Sequence, residues 1–178
     1  MGKKVGEIIK YYEINWLNRI SKIDKKIAPN FHYGIIRHTS VEDPVLNDHM
    51  AKEEINKLLA KKLKFKKLSK VLDAGCGIGA TVSFLAKNTK GLEIHALNID
   101  VNQIKLGKKL FKNKKIKWKV ADFCNLPYGD GYFDAVYGIE SVCHASNKDK
   151  FFKEARRVLK VGGRMVLFDN FLINKASK

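Results

Sequence analysis

The chain has 178 residues, 45% of them hydrophobic, and its 35 basic against 18 acidic residues give a net charge of +17. That length and apolar fraction predict one globular domain with its own core, and exclude a disordered tail or a disulfide-stapled mini-protein. No run approaches the roughly 18 apolar residues of a membrane span, and residues 1–10 lack the apolar stretch of a secretory signal, so a cytoplasmic protein is expected.

In chain order, Val5 to Ile20 predicts a short helix, followed by a loop with Phe31, His32, Tyr33 and Gly34. With Tyr11, Tyr12 and Trp16, these make the leader rich in aromatic residues. Asp48 to Leu63 predicts an amphipathic helix burying Met50, Ile55, Leu58, Leu59 and Leu63. Six lysines between Lys61 and Lys70 read as a helix end and connector, because cations favour the negative end of a helix dipole. Residues 1–68 are therefore one segment, helical and connecting, and 69–178 a second.

From residue 69, short apolar runs alternate with amphipathic, Lys-bearing stretches. Strands are predicted at Lys70 to Ala74, Leu92 to Asn98, Ile116 to Ala121, Phe133 to Glu140 and Gly163 to Asp169. Helices are predicted at Ala80 to Lys87, Asn102 to Phe111 and Lys148 to Leu159. This alternation implies an α/β fold, a Rossmann-like and mostly parallel sheet with helices on both faces. Cys76, Cys124 and Cys143 are widely spaced and form no C-x-x-C pair, so they read as reduced thiols and no metal site is expected. Arginine supplies only five of the basic residues. Lysine is the poorer group for bidentate phosphate recognition, so the charge reads first as solvated surface and second as attraction to an anionic substrate or RNA.

The strongest local signal is Val71-Leu72-Asp73-Ala74-Gly75-Cys76-Gly77-Ile78-Gly79, a strand that meets an acid and three alternate glycines where a helix starts. Glycines let the chain turn sharply and let a ligand lie against bare backbone beside helix-start N–H groups. Gly75, Gly77 and Ala80 also satisfy a dinucleotide pattern. Two features argue against that. Asp73 would repel a pyrophosphate but not a cationic ligand, and the tip of the second strand carries the amide Asn98 in place of a ribose-binding carboxylate. Asp100, two residues on, is the remaining acidic candidate.

The Asp73–Gly79 segment resembles the first motif of class I S-adenosylmethionine-dependent methyltransferases. Further matches follow in order: Asn98, Ala121-Asp122-Phe123, Leu126-Pro127, Phe133-Asp134-Ala135-Val136-Tyr137, and Arg157 to Arg164 ahead of the fifth strand. Ala96-Leu97-Asn98 with Gln103, and Ile139 to His144, are most similar to the sterol- and tocopherol-type small-molecule methyltransferases. The resemblance implies S-adenosylmethionine as cofactor, with S-adenosylhomocysteine as product. It implies Asp73 at the amino acid end of the ligand, Gly75, Cys76 and Gly77 along its backbone contact, Asn98 at the ribose, Asp122 and Phe123 at the adenine, and Gln103 as a further cofactor-binding residue. In similar enzymes an aromatic leader folds over the cofactor, so residues 1–68 are expected to act as a lid.

Methyl transfer from a sulfonium requires two reactants to be positioned and a proton to be removed from the acceptor. Open α/β sheets bind ligands at the carboxyl ends of their strands, which makes Glu140 and His144, after strand four, the candidate catalytic residues. His144 would serve as base, and Glu140 would orient it, face the sulfonium or stabilise a carbocation. The expected acceptor is a small lipid-like or isoprenoid molecule methylated on carbon or oxygen. RNA is the less favoured substrate, and a third reading is a non-catalytic, cofactor-binding module completed by a partner. The resemblance also implies two strands beyond the fifth. The sequence stops soon after strand five, which leaves three expectations open: a fragment of a longer protein, a partner chain or homodimer at the open sheet edge, or a small form that tolerates that edge.

Overall fold

The structure, a computed structural model, describes residues 44–65 and 69–170, with side chains from Met50 onward. The predicted leader helix and aromatic loop lie outside the described residues. Five strands, β1 (Ser69–Ala74), β2 (Leu92–Asn98), β3 (Ile116–Val120), β4 (Phe133–Ile139) and β5 (Leu159–Phe168), form one sheet in the order β3-β2-β1-β4-β5. Every pairing is parallel. The helices are α1 (Pro44–Leu63), α2 (Ala80–Asn88), α3 (Val101–Leu110) and α4 (Lys148–Val158). The predicted α/β class and all five strands are present, with most boundaries within a residue of expectation.

Helices cover both faces. Leu59 and Leu63 of α1 join Val82 and Leu85 of α2 over Val71, Ile94 and Tyr137 on one face. On the other, Phe151, Ala155 and Val158 of α4, spaced four and three apart, pack on Leu72, Phe133 and Val136. Because β1 is covered on both sides, residues 71–74 are all buried, Asp73 included. Asn56 is the buried polar residue of α1, and its Oδ1 accepts from Thr81 Oγ1 of α2 at 2.9 Å. Met50, expected on the buried side of α1, is instead exposed. Ala51 takes the inward position one residue on.

The other correction concerns β5. The expected strand begins at Gly163, whereas Leu159 already pairs with Phe133. The register then jumps to Ala135 with Arg164, so residues 160–163 bulge out around Gly162, whose φ is +75°. The side chain of Arg157 fixes the loop ahead of β4. It bonds Leu126 O, Tyr128 O and Asp130 and forms a fork on the Glu154 carboxylate, which also accepts from Leu126 N at 2.7 Å.

Candidate active site

The carboxyl ends of the strands meet around the loop after β1. Gly75 and Gly77 have φ of +105° and +55°, in the region that disfavours a side chain. The Gly75 and Cys76 amides both donate to Leu97 O at 2.9 Å, which ties the loop to the end of β2. The two glycines nevertheless serve different ends. A Cβ at 75 would lie 2.5 Å from Ser141 Cβ, whereas a Cβ at 77 would meet only Gln103 Oε1, at 3.6 Å. Gly75 is demanded by the protein's own packing, and Gly77 presents bare backbone beside open space. The third, Gly79, belongs to the core: a side chain there would overlap the Trp118 indole.

Asp73 lies beneath this loop, 3% exposed. Burial pushes its carboxyl up to about 7, and the neighbouring Tyr137 hydroxyl opposes part of that rise. Tyr137 sits opposite Asp73 in the β1–β4 register. Its hydroxyl is buried and finds no partner at hydrogen-bonding geometry among the described residues. Burial and the adjacent Asp73 likewise hold the Cys76 thiol well above its ordinary range.

At the tip of β2, Asn98 Nδ2 donates to Gln103 Oε1 at 2.9 Å and to Gly77 O at 3.2 Å. Asn98 and Gln103 are therefore paired with each other and attached to the glycine loop. Asp100, the alternative acid, is a helix cap: its buried carboxylate accepts from the Asn102 and Gln103 amides at the start of α3. After β3, Asp122 Oδ1 accepts from Cys124 N at 2.7 Å, making a tight turn that presents Phe123. That ring packs edge-on against Phe151 and reaches to within 3.8 Å of where a Gly75 side chain would stand.

The turn after β4 closes the other side. Glu140 is half-buried with φ +47°, a left-handed conformation rare for a residue with a side chain. Its amide donates to Phe168 O at 2.7 Å. Ser141 Oγ donates to Ala74 O at 2.6 Å, and Cys143 N donates to Asp169 Oδ2 at 3.0 Å. His144 ends the short 3-10 turn Val142–His144 and is exposed. Cys143 is half-buried, and burial with Asp169 beside it raises its thiol to about 12.

All ten predicted residues thus lie at one edge of the sheet. Tyr137, Ser141 and Asp169 are the neighbours that sequence reasoning missed. Tyr137 could have been found from strand alternation, which puts it on the Asp73 face, but nothing local marks the other two. The assembly fits S-adenosylmethionine on its own chemistry. A buried acid beside an orphaned hydroxyl suits an amino group, a cradle without side chains suits a close-lying chain, and paired amides suit a ribose. No cluster of His, Cys, Asp or Glu suited to a metal ion occurs among the described residues. An open groove of about 510 Å³, lined by Lys70, Glu93, His95, Lys117, Tyr128 and Tyr132 among others, lies toward the opposite ends of β1 and β2 and includes none of these site residues.

Comparison with known proteins agrees with this geometry. Methyltransferase GfsG of Streptomyces halstedii is 33% identical over 144 residues, which are 79% of this chain and 50% of that protein. Sterol 4-C-methyltransferase strm-1 of Caenorhabditis elegans is 31% identical over 163 residues, 88% of this chain and 46% of its own. The chain therefore spans about half the length of these curated relatives. Among solved structures, geranyl diphosphate C-methyltransferase from Streptomyces coelicolor shares the fold with a TM-score of 0.78 at 20% identity, covering 93% of this chain and 64% of that one. The [4+2]-cyclase SpnF shares it with a TM-score of 0.74 at 21% identity, covering 86% and 56%. A methyltransferase domain model matches residues 72–167, from the middle of β1 to the end of β5, and the chain belongs to that methyltransferase family.

Proposed function

We propose that this protein binds S-adenosylmethionine and transfers its methyl group to carbon or oxygen of a small, lipid-like or isoprenoid acceptor. The carrying observation is the contact between the glycine loop and the turn bearing Glu140 and His144, made where Ser141 stands against Gly75. Because Ser141 joins the turn that carries a carboxylate and an imidazole to the glycine loop, the contact supports reading the two as parts of one site. The relatives named for a sterol and for geranyl diphosphate support the isoprenoid class of acceptor.

When bound, the cofactor supplies an electrophilic methyl on a sulfonium. Asp73 and Tyr137 hold the amino end, Gly77 offers its backbone, Asn98 and Gln103 take the ribose hydroxyls, and Asp122 with Phe123 receives the adenine. The acceptor lies against the 140–144 turn. There His144 removes the proton that the acceptor loses, since an imidazole is a competent base near neutral pH. The half-buried Glu140 carboxylate orients the imidazole or stabilises positive charge that develops on an alkene acceptor.

Calorimetry with S-adenosylhomocysteine and NAD tests the donor side, and tight NAD binding without response to S-adenosylhomocysteine would refute it. Transfer of a radiolabelled methyl to isoprenoid, sterol-like and phenolic acceptors tests the acceptor side. Glu140→Gln and His144→Ala should each cut turnover by ~10²-fold or more while leaving cofactor affinity within about threefold. Loss of affinity with unchanged turnover would move them into the cofactor's shell. A second reading comes from the fold itself, which SpnF shares while being named a cyclase. A chain that binds cofactor and methylates nothing offered, RNA included, would be a cofactor-binding module completed by a partner.

A further inference from the structure

We propose that Ser141 is a positioning residue for methyl transfer, whose hydroxyl locks the acceptor turn onto the donor cradle. The inference rests on the function proposed above. Three small residues meet at this point. Ser141 Oγ donates to Ala74 O at 2.6 Å, at the last residue of β1 before the glycine loop. A Cβ at Gly75 would lie 2.5 Å from Ser141 Cβ, and a Cβ at Gly138 would lie 2.7 Å from Ser141 Oγ. Ser141 is itself buried at 7% exposure, so this hydroxyl is committed to the protein and not to a ligand.

The residue before it explains how it gets there. Glu140 adopts φ +47°, which turns the chain back so that Ser141 points into the knot while the 140–144 turn passes along the rim. Such a conformation costs roughly 1–3 kcal/mol and persists only where surrounding contacts impose it. Here the contacts are the Glu140 amide on Phe168 O, the Cys143 amide on Asp169, and the Ser141 hydroxyl on Ala74. The first two bind the turn to β5 and the residue after it. Of these three, it is the third that binds the turn to the strand that carries the donor loop, so Ser141 sets the distance between Glu140 or His144 and the methyl being transferred. A shift of about 1 Å between reacting groups is enough to cost ~10²-fold in rate.

Ser141→Ala removes that bond and keeps the packing. Its S-adenosylhomocysteine affinity and acceptor KM should stay within about threefold of wild type while kcat falls by about tenfold to 10²-fold. Amide exchange reads the coupling without any turnover. The Gly75 and Cys76 amides, bonded to Leu97 O, and the His144 and Ala145 amides, bonded within the turn, should all exchange faster in the variant, with α4 unchanged. Gly138→Ala supplies the reciprocal check. Alone it drives a methyl into Ser141 Oγ and lowers Tm, but beside Ser141→Ala its nearest remaining contacts are 3.4 Å, to Ala74 O and Leu167, and the loss should largely disappear. An unchanged kcat, exchange rising on one side only or throughout α4, or additive effects of the two substitutions would each overturn the proposal. If wild type methylates none of the acceptors, the proposed function falls, and the exchange and double-substitution results still decide whether Ser141 couples the two loops.

Discussion

The glycine loop proposed as donor cradle and the 140–144 turn proposed to face the acceptor lie side by side at the carboxyl edge of one sheet, yet they are held by different means. The cradle is a backbone structure. Its shape comes from positive φ at Gly75 and Gly77, from two amides on Leu97 O, and from the absence of side chains. The turn contains no glycine and takes its shape from bonds to distant strands: Ala74 on β1, Phe168 on β5 and Asp169 just beyond. A region of the first kind can present the same surface to the same cofactor whatever surrounds it. A region of the second kind is set by its neighbours, so it can move when they change. That difference suits a fold whose donor is constant and whose acceptors vary.

The comparison breaks most visibly at Gly75, where the two regions touch. Gly75→Ala combines a backbone strained at φ +105° with a methyl 2.5 Å from Ser141 Cβ. Strain and overpacking together predict a loss of roughly 3–6 kcal/mol, seen as a collapse of the urea or thermal midpoint. Gly77→Ala meets no close atom and should cost only about 1 kcal/mol of stability, while cofactor affinity falls by about tenfold or more, because backbone open to a ligand is then covered. Equal stability losses at the two glycines would show that the cradle is not divided in this way.

This division also explains what could be read from the sequence. Strands β1, β2 and β4 are short apolar runs bounded by turns, and the glycine loop advertises itself because only glycine tolerates its backbone angles. Asn98 and Gln103 are legible as a strand tip followed by the first turn of a helix. Tertiary partners are not legible in this way. Ser141 and Asp169 matter through contacts made across 67 and 26 residues, and no local pattern encodes them. The looped-out residues 160–163 were missed because Gly162-Gly163 reads as a strand boundary, while the pairing resumes on the other side of it. Met50 differs for a similar reason: helical spacing allows both Met50 and Ala51 to face inward, and spacing alone does not say that Ala51 is the one buried.

Within the cradle, Asp73 gives the next largest effect. Its carboxyl is raised to about 7 by burial, so in the ligand-free protein it holds a proton that the unfolded chain has lost. Between about pH 4 and pH 7 the folded state binds more protons than the unfolded one, and stability falls as pH rises, by no more than about 4 kcal/mol. A cofactor amino group favours the ionised carboxylate, so affinity should move the other way, rising about tenfold from pH 6 to pH 8. Calorimetry across that range would detect the gain, with proton release at the lower end, and Asp73→Asn should flatten both dependences. A pH-independent affinity would place the amino group elsewhere.

The loop between β3 and β4 tests whether side-chain tethering extends beyond the acceptor turn. Arg157→Ala leaves the Leu126 and Tyr128 carbonyls and the Glu154 carboxylate without their shared donor. Arg157 is about one-third exposed, so solvent replaces part of the loss, and about 2 kcal/mol is expected by denaturant titration. Cofactor affinity should change by less than about threefold, since Arg157 anchors the loop at Leu126, Tyr128 and Asp130 and not at Asp122 or Phe123.

The smallest effect sharpens the boundary of the cradle at Asp100. Its carboxylate could have been the ribose acid of a dinucleotide site, being the nearest acid to the tip of β2. Instead Oδ1 accepts from Asn102 N at 2.7 Å and from Gln103 N at 3.3 Å, and the residue is 4% exposed. Both bonds are those of an N-cap, for which loss of the side chain costs about 1 kcal/mol and an isosteric amide costs almost nothing. Asp100→Ala should therefore lower stability by about that amount, while Asp100→Asn keeps it. S-adenosylhomocysteine affinity should hold within about twofold in Asp100→Asn, because Gln103 stays in place beside Asn98. A ribose ligand would behave in the opposite way: the amide would keep the helix intact and still weaken binding, since neutral acceptors bond hydroxyls less strongly than carboxylates. The pair of substitutions thus separates a cap from a ligand by whether stability or affinity responds.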